Sequence, residues 1–170
     1  MTQLIDTNIL VYRVDPTEPV KQAIARDLIH QGAFDNQLVL THQTLMEFMA
    51  IAIKPRKALA NQAFMSVEEA CLETEFLMQQ FPVLYPDSDT LELAMTGLTR
   101  YRLSWWDAHL WAYAEAHGIP EILSEDFQHG RHYGRVRVVN PFLVAADAVH
   151  ELPPMYEVSS PCGHRPPQET

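Results

Sequence analysis

No stretch of this sequence approaches the roughly 18 consecutive apolar residues that a membrane-spanning helix needs. The apolar stretch near the N-terminus is interrupted by Asp6 and Arg13, and no small-residue cleavage site follows it. We therefore predict a chain that neither spans a membrane nor carries a secretion signal, and we expect it in the cytoplasm.

Cysteine is scarce, with only Cys71 and Cys162 in 170 residues. Their spacing matches no zinc or redox motif. Cys71 lies in a run with helical periodicity, so we expect it to be buried, and Cys162 lies in a proline-rich tail. A structural disulfide is not expected in a reducing compartment.

Positive charge is also scarce, and the formal net charge is −10. A protein that grips nucleic acid through a broad basic face has the opposite sign, so strong non-specific binding is disfavoured. Local basic patches occur at residues 54–57, 100–102 and 131–137. Each patch is compatible with RNA contact or with ordinary solvated surface charge.

Short apolar segments alternate with segments of helical periodicity along most of the chain. Strands are predicted near residues 3–5, 37–40, 83–84, 122–123 and 136–139. Helices are predicted near residues 20–29, 41–53, 66–80, 87–101 and 104–117. This alternation predicts an α/β fold in which helices cover both faces of a mostly parallel sheet.

The character of the sequence changes toward the C-terminus. Five of the twelve prolines fall within the last 18 residues. We predict a single domain over residues 1–143 and an extension over residues 144–170, which is a disordered tail or a surface arm from about residue 152.

Four carboxylates occupy positions that suit a shared site. Asp6 and Asp126 each follow a predicted strand, and the carboxyl ends of parallel strands line the crevice of an open α/β sheet. Glu47 interrupts an apolar helix, and Asp107 lies in the first turn of another. Each has a simpler structural explanation, as a helix cap or a surface charge, so the prediction depends on the joint pattern.

If the four carboxylates converge, they need a counter-charge. Two unit charges 4 Å apart repel by ~4 kcal/mol at an effective dielectric of 20. Either some of the acids are protonated or a cation lies between them. Oxygen ligands without cysteine or a histidine pair select Mg²⁺ or Mn²⁺ over zinc, and such a site is suited to phosphodiester hydrolysis.

These acids lie in segments that resemble the PIN-domain family and, within it, the VapC-like ribonuclease toxins of type II toxin–antitoxin systems. The resemblance covers about residues 1–143 and rests on residues 4–10 (LIDTNIL), 44–48 (TLMEF), 103–108 (LSWWDA), 123–130 (LSEDFQHG) and 138–142 (VVNPF). It implies a three-layer α/β/α fold, an Mg²⁺- or Mn²⁺-dependent endoribonuclease that cleaves RNA, a homodimer, and a cognate antitoxin.

The resemblance also implies roles for individual residues. The acidic, metal-binding cluster would be Asp6, Glu47, Asp107 and Asp126. Thr7, Asn8 and Ser124 would be its polar support.

Some neighbouring residues have open roles at this stage. Because alternate strand residues point to opposite faces, we expect Asp126 to face inward and Glu125 outward, although the two could exchange roles. His129 and His132 are expected at the surface or in contact with RNA rather than as metal ligands. The three tryptophans, at helical spacing, are expected in core or dimer packing more than in base stacking.

Rival functions make different demands on the sequence. A phosphatase of the haloacid-dehalogenase type needs a second Asp two residues after the first, where this chain has Asn8. A phospho-accepting response regulator needs a late lysine, and none follows Lys57. A DNA nuclease and a catalytically inactive PIN-like nucleic-acid-binding module both remain as alternatives.

Overall fold

The computed structural model describes residues 1–143 of the chain. Its strands are β1 (Gln3–Ile5), β2 (Leu38–Thr41), β3 (Val83–Leu84), β4 (Glu121–Leu123), β5 (His132–Tyr133) and β6 (Val136–Val139). Its principal helices are α1 (Thr7–Val14), α2 (Pro19–Asp35), α3 (His42–Ala52), α4 (Val67–Gln80), α5 (Ser88–Tyr101) and α6 (Trp105–Ala116). A short 3₁₀ helix, Lys57–Leu59, lies between α3 and α4.

The sheet has the strand order β3-β2-β1-β4-β6-β5. Every neighbouring pair is parallel except β5 and β6, which are antiparallel. The mostly parallel sheet expected from the sequence is thus confirmed. The sequence interpretation missed β5, which is two residues long and joins β6 through a tight turn in which Gly134 has φ +64°.

Two apolar cores lie on opposite faces of the sheet, because successive side chains along each strand point to alternate faces. Ile5 of β1 and Leu123 of β4 pack with residues of α1 to α4. Leu4 and Ile122, their neighbours in sequence, pack on the opposite face with residues of α5 and α6. This arrangement is the expected three-layer α/β/α architecture, because successive side chains of a strand point to opposite faces.

The predicted starts of α4, α5 and α6 agree with the structure to within one residue, and each start has a side-chain cap. Ser66 and Glu69 form a capping box at the start of α4, and Asp87 and Ser104 cap α5 and α6 through their side chains. The prediction for Cys71 was wrong, because its side chain is exposed. In α4 the adjacent Ala70 faces the core, so Cys71 points away from it.

No helix in the described part of the chain is long and apolar enough to cross a membrane. The predicted extension, with Cys162 and the clustered prolines, lies outside the described residues.

Candidate active site

The four predicted acids line one cavity of about 580 Å³. Asp6 follows β1, Glu47 lies in the middle of α3, Asp107 is in the first turn of α6, and Asp126 follows β4. Because β1 and β4 are adjacent and parallel, their carboxyl ends place Asp6 and Asp126 on the same edge of the sheet. The fold therefore gathers acids from four separate segments, and their chemical role remains a prediction.

Asp6 is the most buried of the four, with 8% of its surface exposed. Its Oδ1 accepts a hydrogen bond from the Thr7 backbone N–H at 2.6 Å. Its Oδ2 accepts from Ser124 Oγ at 2.5 Å and from Asn8 Nδ2 at 3.1 Å. These donors fix the carboxylate at the start of α1.

Asn8 links the two strand-end acids. Its Nδ2 also lies 3.2 Å from Asp126 Oδ2 and 3.3 Å from Ser124 Oγ. Ser124, which is fully buried, accepts a hydrogen bond from the Asp126 backbone N–H at 3.1 Å. Asn8 and Ser124 thus connect Asp6 and Asp126 through hydrogen bonds, and their supporting role at a functional site stays a prediction.

Burial is the largest cause that raises the pKa of Asp6, to about 7. The negative charges of Asp126 and Glu47 raise this pKa further, while the hydrogen bonds from Ser124 and the Thr7 backbone oppose the rise. A buried carboxylate that faces other acids is stabilised in its charged form by a nearby cation.

Glu47 is held by two side chains. Thr7 Oγ1 donates a hydrogen bond to Glu47 Oε2 at 2.8 Å, and Gln43 Nε2 donates to Oε1 at 3.0 Å. Gln43 Nε2 also lies 3.2 Å from the Trp106 carbonyl oxygen, and Gln43 Oε1 lies 2.9 Å from His109 Nδ1. Gln43 therefore couples α3 to α6 across the cavity.

The sequence interpretation did not single out Gln43. A signal was available, because Gln43 precedes Glu47 by four residues and side chains at that spacing are neighbours on a helix. Its burial, with 7% of its surface exposed, depends on the contact between α3 and α6, which is a tertiary feature.

Of Glu125 and Asp126, only Asp126 lines the cavity, which agrees with the expected orientation. Both residues lie in a bend beyond the end of β4, so strand alternation is not the reason. Glu125 instead forms an ion pair with Lys21 at 2.6 Å and contacts the Tyr12 hydroxyl. His129 and His132 do not line the cavity; His129 Nδ1 accepts a hydrogen bond from the Asn140 backbone N–H at 2.9 Å.

The tryptophans have different environments. Trp111 is buried, and its indole N–H donates a hydrogen bond to the Tyr133 carbonyl oxygen at 2.8 Å. Trp106 is 59% exposed and lines the acidic cavity. Trp111 therefore packs in the core, as expected, whereas Trp106 does not, and packing of Trp106 against a second copy of the chain stays a prediction.

The donor set of the cavity fits a hard divalent cation. Its ligating side chains among the described residues are carboxylates, without histidine or cysteine, and oxygen ligands suit Mg²⁺ or Mn²⁺. The raised pKa of Asp6 is a second reason to expect a cation here, because a cation would offset the repulsion among Asp6, Asp126 and Glu47. Within residues 1–143, no three acidic, histidine or cysteine side chains are already arranged around a single ion position.

One arginine of the predicted basic patches reaches this region. Arg56 lines a neighbouring cavity of about 460 Å³ together with Asp6, Asn8, Glu47 and Asp126. Its guanidinium lies 4.5 Å from the centre of the Phe64 ring, which supports it from one side.

Arginines of the C-terminal patch have acidic partners elsewhere. Arg135 pairs with Glu115 at 3.1 Å, and Arg137 pairs with Glu121 at 3.5 Å. These pairs favour the surface-charge interpretation for this part of the patch.

Solved structures with the same fold include several toxin–antitoxin proteins. A toxin–antitoxin complex from Klebsiella pneumoniae is 20% identical over 82% of this chain and 98% of its own, with a TM-score of 0.57. The VapBC complex of Salmonella typhimurium bound to DNA is 15% identical over 81% of this chain and 96% of its own, with a TM-score of 0.58.

A third similar structure is the VapC20 toxin of Mycobacterium tuberculosis, described as cleaving the sarcin–ricin loop. It is 14% identical over 71% of this chain and 87% of its own, with a TM-score of 0.55. Among curated proteins, none matches the sequence significantly.

Sequence identities of 20% or less show only that these proteins share a fold with this chain. A match to a family model shows which family the chain belongs to. The model for the PIN domain matches residues 4–135, a range that begins before Asp6 and ends after Asp126. More than half of the chain is included in the match, and the segments that bring the acids together lie inside it. This chain therefore belongs to the PIN domain family.

Proposed function

We propose that this protein is a metal-dependent endoribonuclease and the toxin of a toxin–antitoxin pair. The observation that carries the proposal is the convergence of Asp6, Glu47, Asp107 and Asp126 on one cavity at the edge of the sheet. The fold shared with VapC-type toxins supports the same function.

The chain's own residues would bind the cation and keep it in place. Asp6, Asp107 and Asp126 are the proposed ligands, direct or through water, and Glu47 completes the acidic cavity. Asn8 and Ser124 hold two of the ligands in position, and Thr7 with Gln43 orients Glu47. When bound, Mg²⁺ or Mn²⁺ lowers the pKa of a coordinated water and offsets charge on the phosphate and the leaving oxygen.

Charge neutralisation is a condition for substrate binding here. Without a cation, a cavity of carboxylates repels the phosphates of RNA, because like charges at close range repel by several kcal/mol in a medium of intermediate dielectric, roughly 4 kcal/mol at 4 Å. Arg56 is the proposed protein contact to a phosphate next to the cleaved one, since it lies at the rim of the same acidic cluster.

The decisive experiment is cleavage of a pool of structured RNAs by the purified protein. We expect cleavage with Mg²⁺ or Mn²⁺, none with EDTA, and none by Asp6→Asn. Arg56→Gln should bind RNA more weakly. A plot of log affinity against log salt concentration should become less steep by about 1, the change expected when one phosphate contact is lost. The matched control is Arg135→Gln, an arginine paired with Glu115 outside the site.

The outcomes separate the remaining interpretations. Undiminished cleavage by Asp6→Asn would refute the assignment of the acidic cluster. Cleavage of DNA but not of RNA would make the protein a DNA nuclease. Binding of RNA without cleavage by the folded, Mg²⁺-loaded protein would indicate an inactive binding module.

Protein partners belong to the same proposal. We infer a cognate antitoxin and a homodimer, supported by the toxin–antitoxin complexes that share the fold. Expression of this chain alone should arrest growth, and co-expression with the small adjacent open reading frame should relieve the arrest. Growth arrest that persists with a soluble, expressed neighbour would contradict that pairing.

A further inference from the structure

A second cavity, of about 470 Å³, adjoins the acidic cavity. The two share a wall formed by Gln43, Glu47, Ala50 and Trp106. We call the second cavity the side pocket; its remaining wall is formed by His42, Met46, Pro86, His109 and Tyr113. A ligand in the side pocket would therefore lie next to a substrate phosphate in the acidic cavity.

The side pocket offers flat, apolar surfaces. Trp106 and Met46 are 59% and 57% exposed, although both are large and apolar. Tyr113 forms part of the wall from the core side, and the His109 ring packs edge-on against it with 5.2 Å between the ring centres. Aromatic faces of this kind bind planar rings by stacking, and they do so for every base.

One polar group in the wall has no partner. The hydroxyl of Tyr113 is buried and makes no hydrogen bond with any described residue. Native proteins seldom leave a buried hydroxyl unsatisfied, because the lost hydrogen bonds to water are costly. Burial, followed by the negative charge of Asp87, raises the pKa of Tyr113 to about 12. Like any tyrosine hydroxyl near neutral pH, it is protonated and can donate as well as accept a hydrogen bond.

Other polar groups of the wall are held in place. Gln43 binds Glu47, the Trp106 carbonyl and His109 at the same time. Burial lowers the pKa of His109, although the charge of Glu47 opposes this shift. The surface of the side pocket is therefore almost entirely apolar, because Gln43 and His109 bind each other and their neighbours. Ligand pockets are typically lined by apolar and aromatic side chains in this way.

We propose that the side pocket binds one unstacked nucleobase of the RNA next to the cleaved phosphate, with Trp106 as the stacking surface and Tyr113 as a hydrogen-bonding group. The inference rests on the proposed function and adds a specificity site to it. Single-stranded or looped RNA suits this geometry, because its bases can turn out of the helix and enter a pocket.

The wall that the two cavities share favours a base over a protein segment as the occupant. A nucleotide places its base beside its own phosphate, as the side pocket lies beside the acidic cavity. Contact with a second copy of the chain or with a protein partner is the rival outcome that the experiment must detect.

The test measures binding of adenosine, guanosine, cytidine and uridine, with ribose as the control, by saturation-transfer NMR in EDTA. Neutral nucleosides without metal make this measurement independent of cleavage. We expect at least one nucleoside to bind more tightly than ribose and to transfer saturation through its base protons. Trp106→Ala should weaken that binding by about tenfold, within the range of base–aromatic stacking.

Three further variants make the result specific. Tyr113→Phe should weaken binding several-fold without lowering the melting temperature, because it removes an unsatisfied hydroxyl and keeps the ring. Phe34→Ala, which removes an exposed aromatic ring of α2 outside both cavities, should bind nucleosides as the unaltered protein does. Asp6→Asn should also bind them normally while failing to cleave RNA.

Nucleoside binding equal to that of ribose, or unchanged by both Trp106→Ala and Tyr113→Phe, would overturn the proposal. Equal losses of nucleoside binding in Phe34→Ala would also overturn it. So would a change of oligomeric state by light scattering in Trp106→Ala with nucleoside binding intact, since that identifies a protein contact. Nucleoside binding without RNA cleavage would support the base-binding site and contradict the proposed nuclease. RNA cleavage without nucleoside binding would support the nuclease and contradict the base-binding site.

Discussion

At the scale of single residues, Asp6 combines burial, hydrogen bonding and charge repulsion. Its carboxylate accepts hydrogen bonds from Thr7, Asn8 and Ser124, and such bonds favour the charged form. Burial outweighs them and raises the pKa of Asp6 to about 7. Its folded pKa is therefore above the ordinary value of 3.8. The folded state binds this proton more tightly than the unfolded state, so stability falls as pH rises from about 4 to about 7.

We expect Asp6→Asn to raise stability in metal-free buffer at pH 8 and to leave it nearly unchanged at pH 4. The upper bound on the gain is about 4 kcal/mol, from 1.36 kcal/mol per pKa unit. The measured gain should be smaller, because the new amide N–H₂ cannot accept from Asn8. Thermal unfolding between pH 4 and 8 in EDTA measures it, and Mg²⁺ should then stabilise only the unaltered protein.

The control for this pH profile is Asp87→Asn, which has the opposite sign. Hydrogen bonds from Thr90 lower the pKa of Asp87, so its carboxylate contributes stability above the unfolded pKa and loses it as pH falls. Asp87→Asn should therefore lose stability above pH 4. A pH profile of the same sign for both variants would contradict the burial explanation for Asp6.

Asp126 and Glu125 form a natural matched pair. Asp126 lines the acidic cavity, whereas Glu125 binds Lys21 and Tyr12 outside it. Asp126→Asn should lower RNA cleavage by roughly 10²-fold or more, the effect of removing one preorganised electrostatic group. Glu125→Gln should keep activity within about threefold and cost about 1 kcal/mol or less of stability. The reverse order in cleavage rates would exchange the two roles.

At the scale of secondary-structure elements, the geometry of the acidic cavity depends on how α6 packs. This helix carries Asp107, and α5 lies against it through Gly97. A Cβ at Gly97 would lie 2.9 Å from Trp111 Cε3 and 3.1 Å from the Ala108 Cβ, closer than normal contact. The small residue therefore sets the separation of the two helices.

Gly97→Ala should destabilise the fold. Overpacking lowers the free energy of unfolding by about 1–3 kcal/mol. The better helix propensity of alanine offsets up to about 1 kcal/mol of this loss. The melting temperature should fall by a few degrees, and cleavage should fall with it as Asp107 shifts. The control is Thr96→Ala, at an exposed position of the same helix, which should be neutral or slightly stabilising. Equal stability of the two variants would show that α5 can move without cost.

At the scale of the whole molecule, Phe142 is the last described residue of the apolar core that packs against α1 to α4. This residue is 8% exposed and packs edge-on against Tyr12, with 5.1 Å between the ring centres. The boundary at residue 143, predicted from the sequence, stays a prediction.

A chain ended after residue 143 should unfold at the same temperature as the full chain and keep its cleavage activity. A chain ended after residue 140 should lose about 3 kcal/mol, as for other removals of a buried phenylalanine. Calorimetry of the three lengths tests both statements. A large loss of stability at length 143 would place part of the domain in residues 144–170.

The sequence alone determined the order and type of most elements. Helix starts followed from local chemistry, because the caps Ser66, Asp87 and Ser104 bind backbone N–H groups within their own first turn. Parallel strands followed from short apolar runs separated by helices. The two-residue β5 gave no such signal, since it exists only through pairing with β6.

The site divides in the same way. Asp6, Glu47, Asp107 and Asp126 were predicted from their joint positions after strands and within helices, together with the motifs that resemble the PIN-domain family, and both signals are local in the sequence. Thr7, Asn8 and Ser124 were already expected as polar support, whereas the contacts of Gln43 appear only in the tertiary structure. Gln43 and Trp106 belong to different helices, and their contact, like the exposure of Trp106 and the burial of the Tyr113 hydroxyl, arises where α3 meets α6. Contacts between distant segments leave no periodic trace in the sequence, because periodicity reports only which face of an element is buried.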